Sequence, residues 1–185
     1  MKKKLSKNLL ALDKAIKNFP NWPKKGVVFK DIMPILQNPK TLKLCIQELI
    51  KKTSKLKYDV IVSSEARGFL FSIPLSLATN KKWVPCRKVG KLPGTTIKHK
   101  YDLEYGTATL EMQKGAIKPN DRVLIIDDLL ATGGTVGAVI DLVKKCKAIP
   151  VAAAFVINLS FLPGEKILTK KHRIPVFSLL EYDHE

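Results

Sequence analysis

Two adjacent carboxylates followed by a loop of small residues are the feature of this sequence with the clearest chemistry. Asp127 and Asp128 follow a run of four apolar residues, and residues 131–135 read Ala-Thr-Gly-Gly-Thr. Glycines let backbone N–H groups approach an anion closely, and a helix beginning there adds the positive end of its dipole. Neighbouring carboxylates repel each other unless they accept hydrogen bonds or face a metal ion. The segment predicts a phosphate-binding loop beside two acids that can hold a ribose diol or face magnesium, with a helix-capping turn as the alternative.

Two further clusters carry the cations that a phosphate-rich ligand needs. Arg67 follows Glu65 in a polar turn after an apolar run, and Arg87, Lys88 and Lys91 lie at the end of another such run. A guanidinium can contact two phosphate oxygens at once, which suits Arg67 to this task. Read alone, the first cluster is equally consistent with a simple ion pair. The second, read alone, is more typical of a basic strand end that faces solvent.

A polar stretch with glycines at both ends, residues 94–106, contains Glu104 and Tyr105. Such a segment is typical of a lid that closes over an active site and excludes water. Without its neighbours, Glu104 would be interpreted as a solvated loop acid.

Alternating helices and strands are predicted to position these segments. Apolar residues at helical spacing predict helices over residues 5–18, 41–56, 69 to about 79 and 136–147. Short apolar runs predict strands over residues 58–62, 83–89, 107–112, 123–126, 150–157 and, at one edge, 175–180. This alternation favours an α/β fold with a parallel sheet, in which ligands bind beyond the carboxyl ends of the strands. We therefore expect the loops after Val62, Val89 and Ile126 to form the site.

Length and composition exclude several classes of protein. The chain has 185 residues, 45% of them hydrophobic, which suits one globular domain and disfavours disorder. Its apolar runs are far shorter than the roughly 20 residues that a membrane-spanning helix needs, so no membrane partner is expected. Three widely spaced cysteines fit neither a disulfide framework nor a zinc pattern, which favours a cytoplasmic location.

The formal charge of +17 suggests nucleic acid as a partner, but the residue types argue against it. Only four of the 33 cations are arginines. Direct base readout and phosphate clamping favour the planar fork of arginine. The lysine excess is therefore interpreted as a solvated surface, and no nucleic-acid partner is expected.

A resemblance narrows the function. Neither a Walker pattern nor G-x-G-x-x-G fits residues 123–135, which disfavours a P-loop kinase and a dinucleotide site. The segment instead resembles, without a gap, the phosphoribosyl pyrophosphate (PRPP) motif of type I phosphoribosyltransferases. Glu-Ala-Arg-Gly-Phe at 65–69, Arg-Lys-Val-Gly-Lys-Leu-Pro-Gly at 87–94 and Leu-Glu-Tyr-Gly at 103–106 are similar to motifs of the adenine phosphoribosyltransferase family. The resemblance extends over nearly the whole chain.

The resemblance implies a role for each residue of the PRPP site. Asp127 and Asp128 would hold the ribose 3′- and 2′-hydroxyls. The 5′-phosphate would be bound by Ala131, Thr132, Gly133, Gly134 and Thr135. The pyrophosphate would be held by Glu65, Ala66, Arg67, Arg87, Lys88 and Lys91, with Arg67 also acting in catalysis. The sequence leaves open which subunit's site the last three cations serve.

Catalysis and base recognition are implied in the same way. Glu104 would take the proton that leaves the purine, and Tyr105 would cover the reacting centre. Val27 would read the base edge through its main chain, while Phe29 and Leu129 would pack on the two faces of the ring.

The resemblance also implies a fold and a reaction. The fold would be a single type I phosphoribosyltransferase domain over residues 1–185, with a mostly parallel central sheet flanked by helices, a small N-terminal hood at about 1–36 and a flexible catalytic loop at about 94–107. The enzyme would be a homodimer that converts adenine and PRPP into AMP and pyrophosphate in purine salvage. Mg²⁺ would be its cofactor, bound through PRPP and water rather than directly by the protein.

Two alternatives stay open. The same fold could act on hypoxanthine, guanine or xanthine, or it could be a catalytically idle regulator that binds nucleic acid. The sequence also departs from the family pattern at the base side, because Lys30 stands where arginine is usual and Asn158 where glutamate is expected.

Overall fold

The computed structural model describes residues 5–102 and 106–184. Its strands are β1 (Lys17–Pro20), β2 (Val28–Asp31), β3 (Val60–Ser64), β4 (Lys82–Lys88), β5 (Thr96–Asp102), β6 (Thr107–Gln113), β7 (Arg122–Leu130), β8 (Ile149–Leu159) and β9 (Val176–Tyr182). Its helices are α1 (Lys7–Ala15), α2 (Met33–Gln37), α3 (Pro39–Thr53), α4 (Arg67–Thr79), α5 (Gly134–Lys145) and α6 (Gly164–Lys166). A π-helical turn, Ile167–Lys171, follows α6.

Seven of the described strands form one sheet, in the order β5-β6-β4-β3-β7-β8-β9. Strands β4, β3, β7, β8 and β9 pair in parallel, whereas β5, β6 and β4 pair antiparallel at one edge. In the centre, Val62 lies opposite Val84 on one side and Ile125 on the other. The carboxyl ends of β3, β4 and β7 therefore meet at one edge of the sheet. The predicted mostly parallel sheet flanked by helices is confirmed.

Helices on both faces of the sheet divide the core in two. Val62 and Ile125 pack with α5, while Ile61 and Leu124 pack with α3 and α4. Residues 60–62 of β3 and 123–126 of β7 thus face opposite cores in turn and are buried, which is why these segments read as continuous apolar runs. Within the described residues, no helix is long and apolar enough to cross a membrane.

Strand β7 is longer than the apolar run at 123–126 predicted. The strand continues to Leu130, so Asp127 and Asp128 lie inside it rather than in a following loop. Pairing with β8 continues as far as Leu130 opposite Asn158 and holds the backbone there. The acids end the hydrophobic pattern without ending the strand, and a strand positions side chains more rigidly than a loop.

The predicted loop at residues 94–106 is largely strand, and that expectation is corrected. Strand β5 pairs along its whole length with β6 in an antiparallel hairpin. Ile97 and Tyr101, on one face of β5, pack against the core beside α5. Alternation of polar and apolar residues allows a half-buried strand here despite the polar composition. Glu104 and Tyr105, assigned to catalysis, lie outside the described residues.

The N-terminal segment contains a hairpin that periodicity did not predict. Helix α1, predicted to extend to residue 18, ends at Ala15 because the chain becomes extended at Ile16. The strands β1 and β2 then pair antiparallel, with Phe19 opposite Phe29. Each has four residues and β1 is exposed throughout, so neither carries the apolar pattern of a core strand.

Candidate active site

A cavity of about 270 Å³ lies at the carboxyl edge of the sheet, between the ends of β3 and β7. Its walls come from three predicted segments: the pyrophosphate turn, the two acids and the phosphate loop. The lining residues are Ser64, Glu65, Ala66, Arg67, Asp127, Asp128, Leu129, Leu130, Ala131, Thr132, Gly133, Gly134, Thr135 and Val136. The structure therefore brings together the residues predicted for ribose, 5′-phosphate and part of the pyrophosphate.

Asp127 is buried in this wall and held in one orientation. Its Oδ2 accepts a hydrogen bond from Ser64 Oγ at 2.8 Å, and its Oδ1 accepts one from the backbone N–H of Asp128 at 3.0 Å. Burial, and then the negative charge of Asp128, raise the pKa of Asp127 above its ordinary value. The glycine at position 68 is required by this packing, since a Cβ there would lie 2.8 Å from Asp127 Oδ1.

Asp128 presents an unsatisfied acceptor beside it. Arg67 Nε lies 2.9 Å from Asp128 Oδ2 as an ion pair. This contact does not have the geometry of a hydrogen bond, so the buried Oδ2 of Asp128 has no hydrogen-bond partner. A buried acceptor without a donor is costly. A hydroxyl donor from a ligand would satisfy it, so the pair of acids is suited to a diol. The guanidinium of Arg67 is about half exposed, at 47%.

The loop from β7 to α5 has the geometry of an anion cradle. Gly133 has a φ of +83°, which side chains rarely adopt, and its carbonyl accepts the first helical hydrogen bond, from Gly137 N–H at 2.8 Å. Behind the loop, Gly164 N–H donates to Ala131 O at 3.0 Å, and a Cβ on Gly164 would collide with that carbonyl. The loop is thus fixed from behind, while the N–H groups of the first turn of α5 face outward without helical partners.

Glu65 organises the basic end of β4. Its Oε2 accepts from Arg87 Nε at 2.8 Å, and its Oε1 accepts from the Lys88 N–H at 2.8 Å. Arg87 also donates to Lys91 O at 2.8 Å. Burial opposes ionisation of Glu65, but hydrogen bonds from Lys88 and Arg87 outweigh it and lower the pKa. The Glu65–Ala66 peptide is cis. The carboxylate of Glu65 therefore holds the Arg87 guanidinium and the Lys88 backbone in place, and Arg87, Lys88 and Lys91 do not themselves line the cavity.

Glu111 on β6 is a residue that the sequence analysis missed. It is buried and accepts hydrogen bonds from the N–H groups of Gly90, Lys91 and Leu92 at 2.9, 3.2 and 3.3 Å, and from Thr96 Oγ1 at 2.9 Å. Burial would raise its pKa, but these hydrogen bonds together lower it. Its carboxylate anchors the loop after β4. The available signal was an acid between two core residues, Leu110 and Met112, on a strand opposite the cation cluster.

The residues predicted for adenine are divided between the cavity and the hairpin. Leu129 lines the cavity. Phe29 lies on β2 with its ring 4.4 Å from that of Trp22 in an edge-to-face contact. Val27 lies two residues before Phe29, just outside β2, and is 39% exposed. Neither hairpin residue is among those lining the cavity in the described part of the chain.

The same acids are the candidates for holding a metal ion. Within residues 5–102 and 106–184, no group of three or more His, Cys, Asp and Glu side chains could hold an ion. The Asp128 oxygen that lacks a hydrogen-bond donor and the carboxylate of Asp127 offer hard oxygen ligands of the kind that Mg²⁺ accepts. This donor set fits a magnesium ion that arrives with other oxygen ligands.

The fold and the cavity define the protein class. A strand that carries two acids near its carboxyl end and leads into a phosphate loop, in a mostly parallel sheet with an antiparallel hairpin at its edge, is a phosphoribosyltransferase arrangement of type I. The family model of the phosphoribosyl transferase domain matches residues 33–182.

Relatives narrow the class. An adenine phosphoribosyltransferase of Ureaplasma parvum is 43% identical over 175 residues, which are 95% of this chain and 99% of the relative. The crystal structure of adenine phosphoribosyltransferase from Thermoanaerobacter pseudethanolicus has a TM-score of 0.89 and 42% identity, over 94% of this chain and 99% of that one. The enzyme from Saccharomyces cerevisiae, complexed with an imino-altritol bisphosphate and adenine, has a TM-score of 0.86 and 40% identity, over 94% and 98%. The chain belongs to the adenine phosphoribosyltransferase family.

Proposed function

We propose that this protein transfers the phosphoribosyl group of PRPP to adenine, giving AMP and pyrophosphate, as a step of purine salvage. One observation carries the proposal: a buried pair of acids, one with an unsatisfied carboxylate oxygen, faces a fixed phosphate loop across one cavity. That pairing suits a sugar with a vicinal diol and a terminal phosphate. The relatives' names supply the base, and the yeast enzyme was solved with adenine bound.

The ribose and 5′-phosphate have a defined place in this proposal. Asp127 and Asp128 accept hydrogen bonds from the 3′- and 2′-hydroxyls. The N–H groups at the start of α5 and the hydroxyls of Thr132 and Thr135 bind the phosphate. The spacing between the diol site and the phosphate site is set by one continuous segment, β7 followed by the loop that leads into α5.

The pyrophosphate is the leaving group. Arg67 pairs with Asp128 and therefore lies beside the diol site, where its guanidinium can balance the negative charge of the pyrophosphate. Arg87, Lys88 and Lys91 provide further cations. Glu65 fixes the Arg87 guanidinium and the Lys88 backbone, and Glu111 fixes the Lys91 backbone. Mg²⁺ would be held through PRPP and water beside Asp127 and Asp128, and would supply charge neutralisation for the pyrophosphate. Fixed charges of this kind stabilise a leaving group most when water is excluded.

The base is recognised by the hairpin. The Phe29 ring packs on one face of adenine and Leu129 on the other, while the main chain of Val27 reads the base edge. In the reaction the bond from C1′ to the pyrophosphate oxygen breaks, and a bond from C1′ to the purine nitrogen forms. Glu104 takes the proton of that nitrogen, and Tyr105 covers the centre. A general base of this kind typically contributes about 10²–10⁴-fold.

We further propose that the protein is a homodimer. On α4, Leu70, Ile73 and Leu77 form one exposed apolar face, with exposures of 39%, 47% and 85%. An exposed apolar stripe is characteristic of an interaction surface. A second copy of the chain is the expected occupant, as the family resemblance implies. Helix α4 begins at Arg67, so this interface would border the pyrophosphate site.

The proposed location is the cytoplasm. Cys45, Cys86 and Cys146 are all buried and unpaired. Free buried thiols are typical of proteins that work in a reducing compartment.

Incubation with PRPP, Mg²⁺ and each purine in turn tests the reaction and its base. AMP from adenine, with no nucleotide from hypoxanthine, guanine or xanthine, is the expected result. Turnover of a 6-oxopurine in preference to adenine would assign the site to another base. No turnover with any base would overturn the proposed function.

A further inference from the structure

Lys30 is a buried cation to which neither the diol site nor the phosphate loop gives a role. It lies on β2 directly after Phe29, with 9% of its surface exposed. Its Nζ lies 4.4 Å from the centre of the Tyr182 ring, at the end of β9. This contact joins β2 to the last strand of the main sheet.

The Tyr182 ring is what compensates the charge of Lys30. Within residues 5–102 and 106–184, no carboxylate lies within salt-bridge distance of Lys30. An ammonium within about 6 Å of an aromatic face is attracted to it, and more strongly when water is absent. A buried cation without such a partner would be costly. The contact therefore constrains where β2 can lie.

Tyr182 is itself fixed from the other side. Its hydroxyl donates a hydrogen bond to Asp13 Oδ1 on α1, at 2.6 Å. Burial, and then this hydrogen bond, raise the pKa of Tyr182, so the phenol stays a donor. Three elements thus meet at one ring: β9 carries it, α1 holds its hydroxyl and β2 covers its face.

We propose that Lys30 is a positioning residue for the purine, whose contact with Tyr182 fixes β2 and so places Phe29 and Val27 opposite Leu129. The proposal rests on the adenine site described above. Phe29 is adjacent to Lys30 in the strand and pairs with Phe19 of β1, so a shift of Lys30 moves the stacking ring. Nothing in this contact touches the phosphate loop or the acids. Lys30 should therefore affect the base and leave PRPP alone.

Steady-state kinetics of matched variants test the proposal. Lys30→Met keeps the length and the apolar stem of the side chain but removes the charge, and Tyr182→Leu removes the aromatic face. Each is expected to raise KM for adenine on the order of tenfold, with KM for PRPP within twofold of wild type. Lys30→Arg restores a cation and should return KM for adenine toward wild type. The control is Lys17→Met, an exposed lysine of the same hairpin, which should change neither constant.

The double variant separates this contact from general damage. If Lys30 acts through the ring, Lys30→Met should add little to KM for adenine in the Tyr182→Leu background. An equal rise in KM for adenine and KM for PRPP, together with a lower melting temperature, would show a structural role only and would overturn the proposal. An unchanged KM for adenine in a folded Lys30→Met variant would also overturn the proposal. If Lys30→Met does not fold, an unchanged KM for adenine in Tyr182→Leu would overturn it instead. Wild-type protein that forms no AMP would instead refute the proposed function itself.

Discussion

Asp127 and Asp128 are only partly compensated in the ligand-free protein, by a hydrogen bond from Ser64 and an ion pair with Arg67. Two buried carboxylates on successive residues repel each other, and one oxygen of Asp128 has no hydrogen-bond donor. Binding a diol supplies donors to both. At the residue scale, the site therefore exchanges stability for affinity, as active sites commonly do.

Asp127→Asn tests this exchange. Folding raises the pKa of Asp127, so the folded protein binds this proton more tightly than the unfolded chain does. The free energy of unfolding therefore falls as pH rises from the ordinary pKa of the acid toward the raised one. The variant removes that ionisation. It should melt at a higher temperature than wild type at pH 8, with the difference shrinking toward pH 4, while AMP formation falls on the order of 100-fold. Thermal unfolding against pH and a product assay measure the two effects.

Asp59 provides a control of opposite sign. Hydrogen bonds from the Arg122 side chain and backbone lower its pKa, so its contribution to stability is present at neutral pH and is lost as pH falls through the lowered value. Asp59→Asn should therefore melt below wild type at pH 8 and retain activity. Equal pH dependence of the two variants would contradict the account of Asp127.

At the scale of elements, the anchoring of the loop after β4 to β6 decides how the cations are presented. That loop has no helix or strand of its own between Lys88 and Thr96. Glu111 replaces regular structure by accepting three of its backbone N–H groups. A neutral side chain there would accept more weakly, because hydrogen bonds to a charged acceptor are stronger.

Glu111→Gln is expected to raise KM for PRPP several-fold and to leave KM for adenine unchanged. The folded pKa of Glu111 is below its ordinary value, so its stabilisation is present above the ordinary pKa and is lost as pH falls through the lower one. The deficit in melting temperature should be largest near pH 7 and should shrink as pH falls below the ordinary carboxyl pKa of about 4. Glu181→Gln, an exposed acid on β9, is the matched control. A deficit that does not change with pH would contradict this role.

Elements with a strong apolar pattern could be predicted from the sequence, and weakly patterned ones could not. The central strands and helices α3 and α4 lie within a few residues of their predicted positions. Strand β5 was missed because its polar residues suggested a loop, although Ile97 and Tyr101 alternate on its buried side. Strands β1 and β2 were missed because four residues are too few for a periodic signal, and β1 is exposed throughout.

The site followed the same rule. The acids and the phosphate loop are contiguous in sequence, so their motif predicted one cavity wall correctly. Contacts between distant segments could not be read from spacing. Glu111 with the loop after β4, and Lys30 with Tyr182, depend on a fold that joins the two ends of the chain.

At the scale of the whole molecule, the charge of +17 has two different uses. A few cations are fixed by specific acids: Arg67 by Asp128, Arg87 by Glu65 and Arg122 by Asp59. The remaining lysines are mostly exposed and can draw anionic substrates to the surface at low salt. Among these three arginines, Arg122 has a structural partner rather than a place in the cavity.

The exposed face of α4 gives a prediction about assembly. Leu77→Glu together with Ile73→Glu places two charges in an apolar interface, which is strongly unfavourable. The variant should be a monomer where wild type is a dimer, as measured by light scattering after gel filtration. The control is Leu10→Glu, an exposed leucine of α1, which should remain a dimer. A wild-type monomer, or a variant that still dimerises, would contradict the assignment of this face.

Product formation by wild type and by the Asp127→Asn/Asp128→Asn double variant is the most direct test of the central claim. With adenine, PRPP and Mg²⁺, wild type should form AMP and pyrophosphate in equal amounts. The double variant should keep its circular dichroism spectrum and form neither product. Absence of AMP with wild type, or retained turnover in the folded double variant, would contradict the assignment of this cavity to phosphoribosyl transfer.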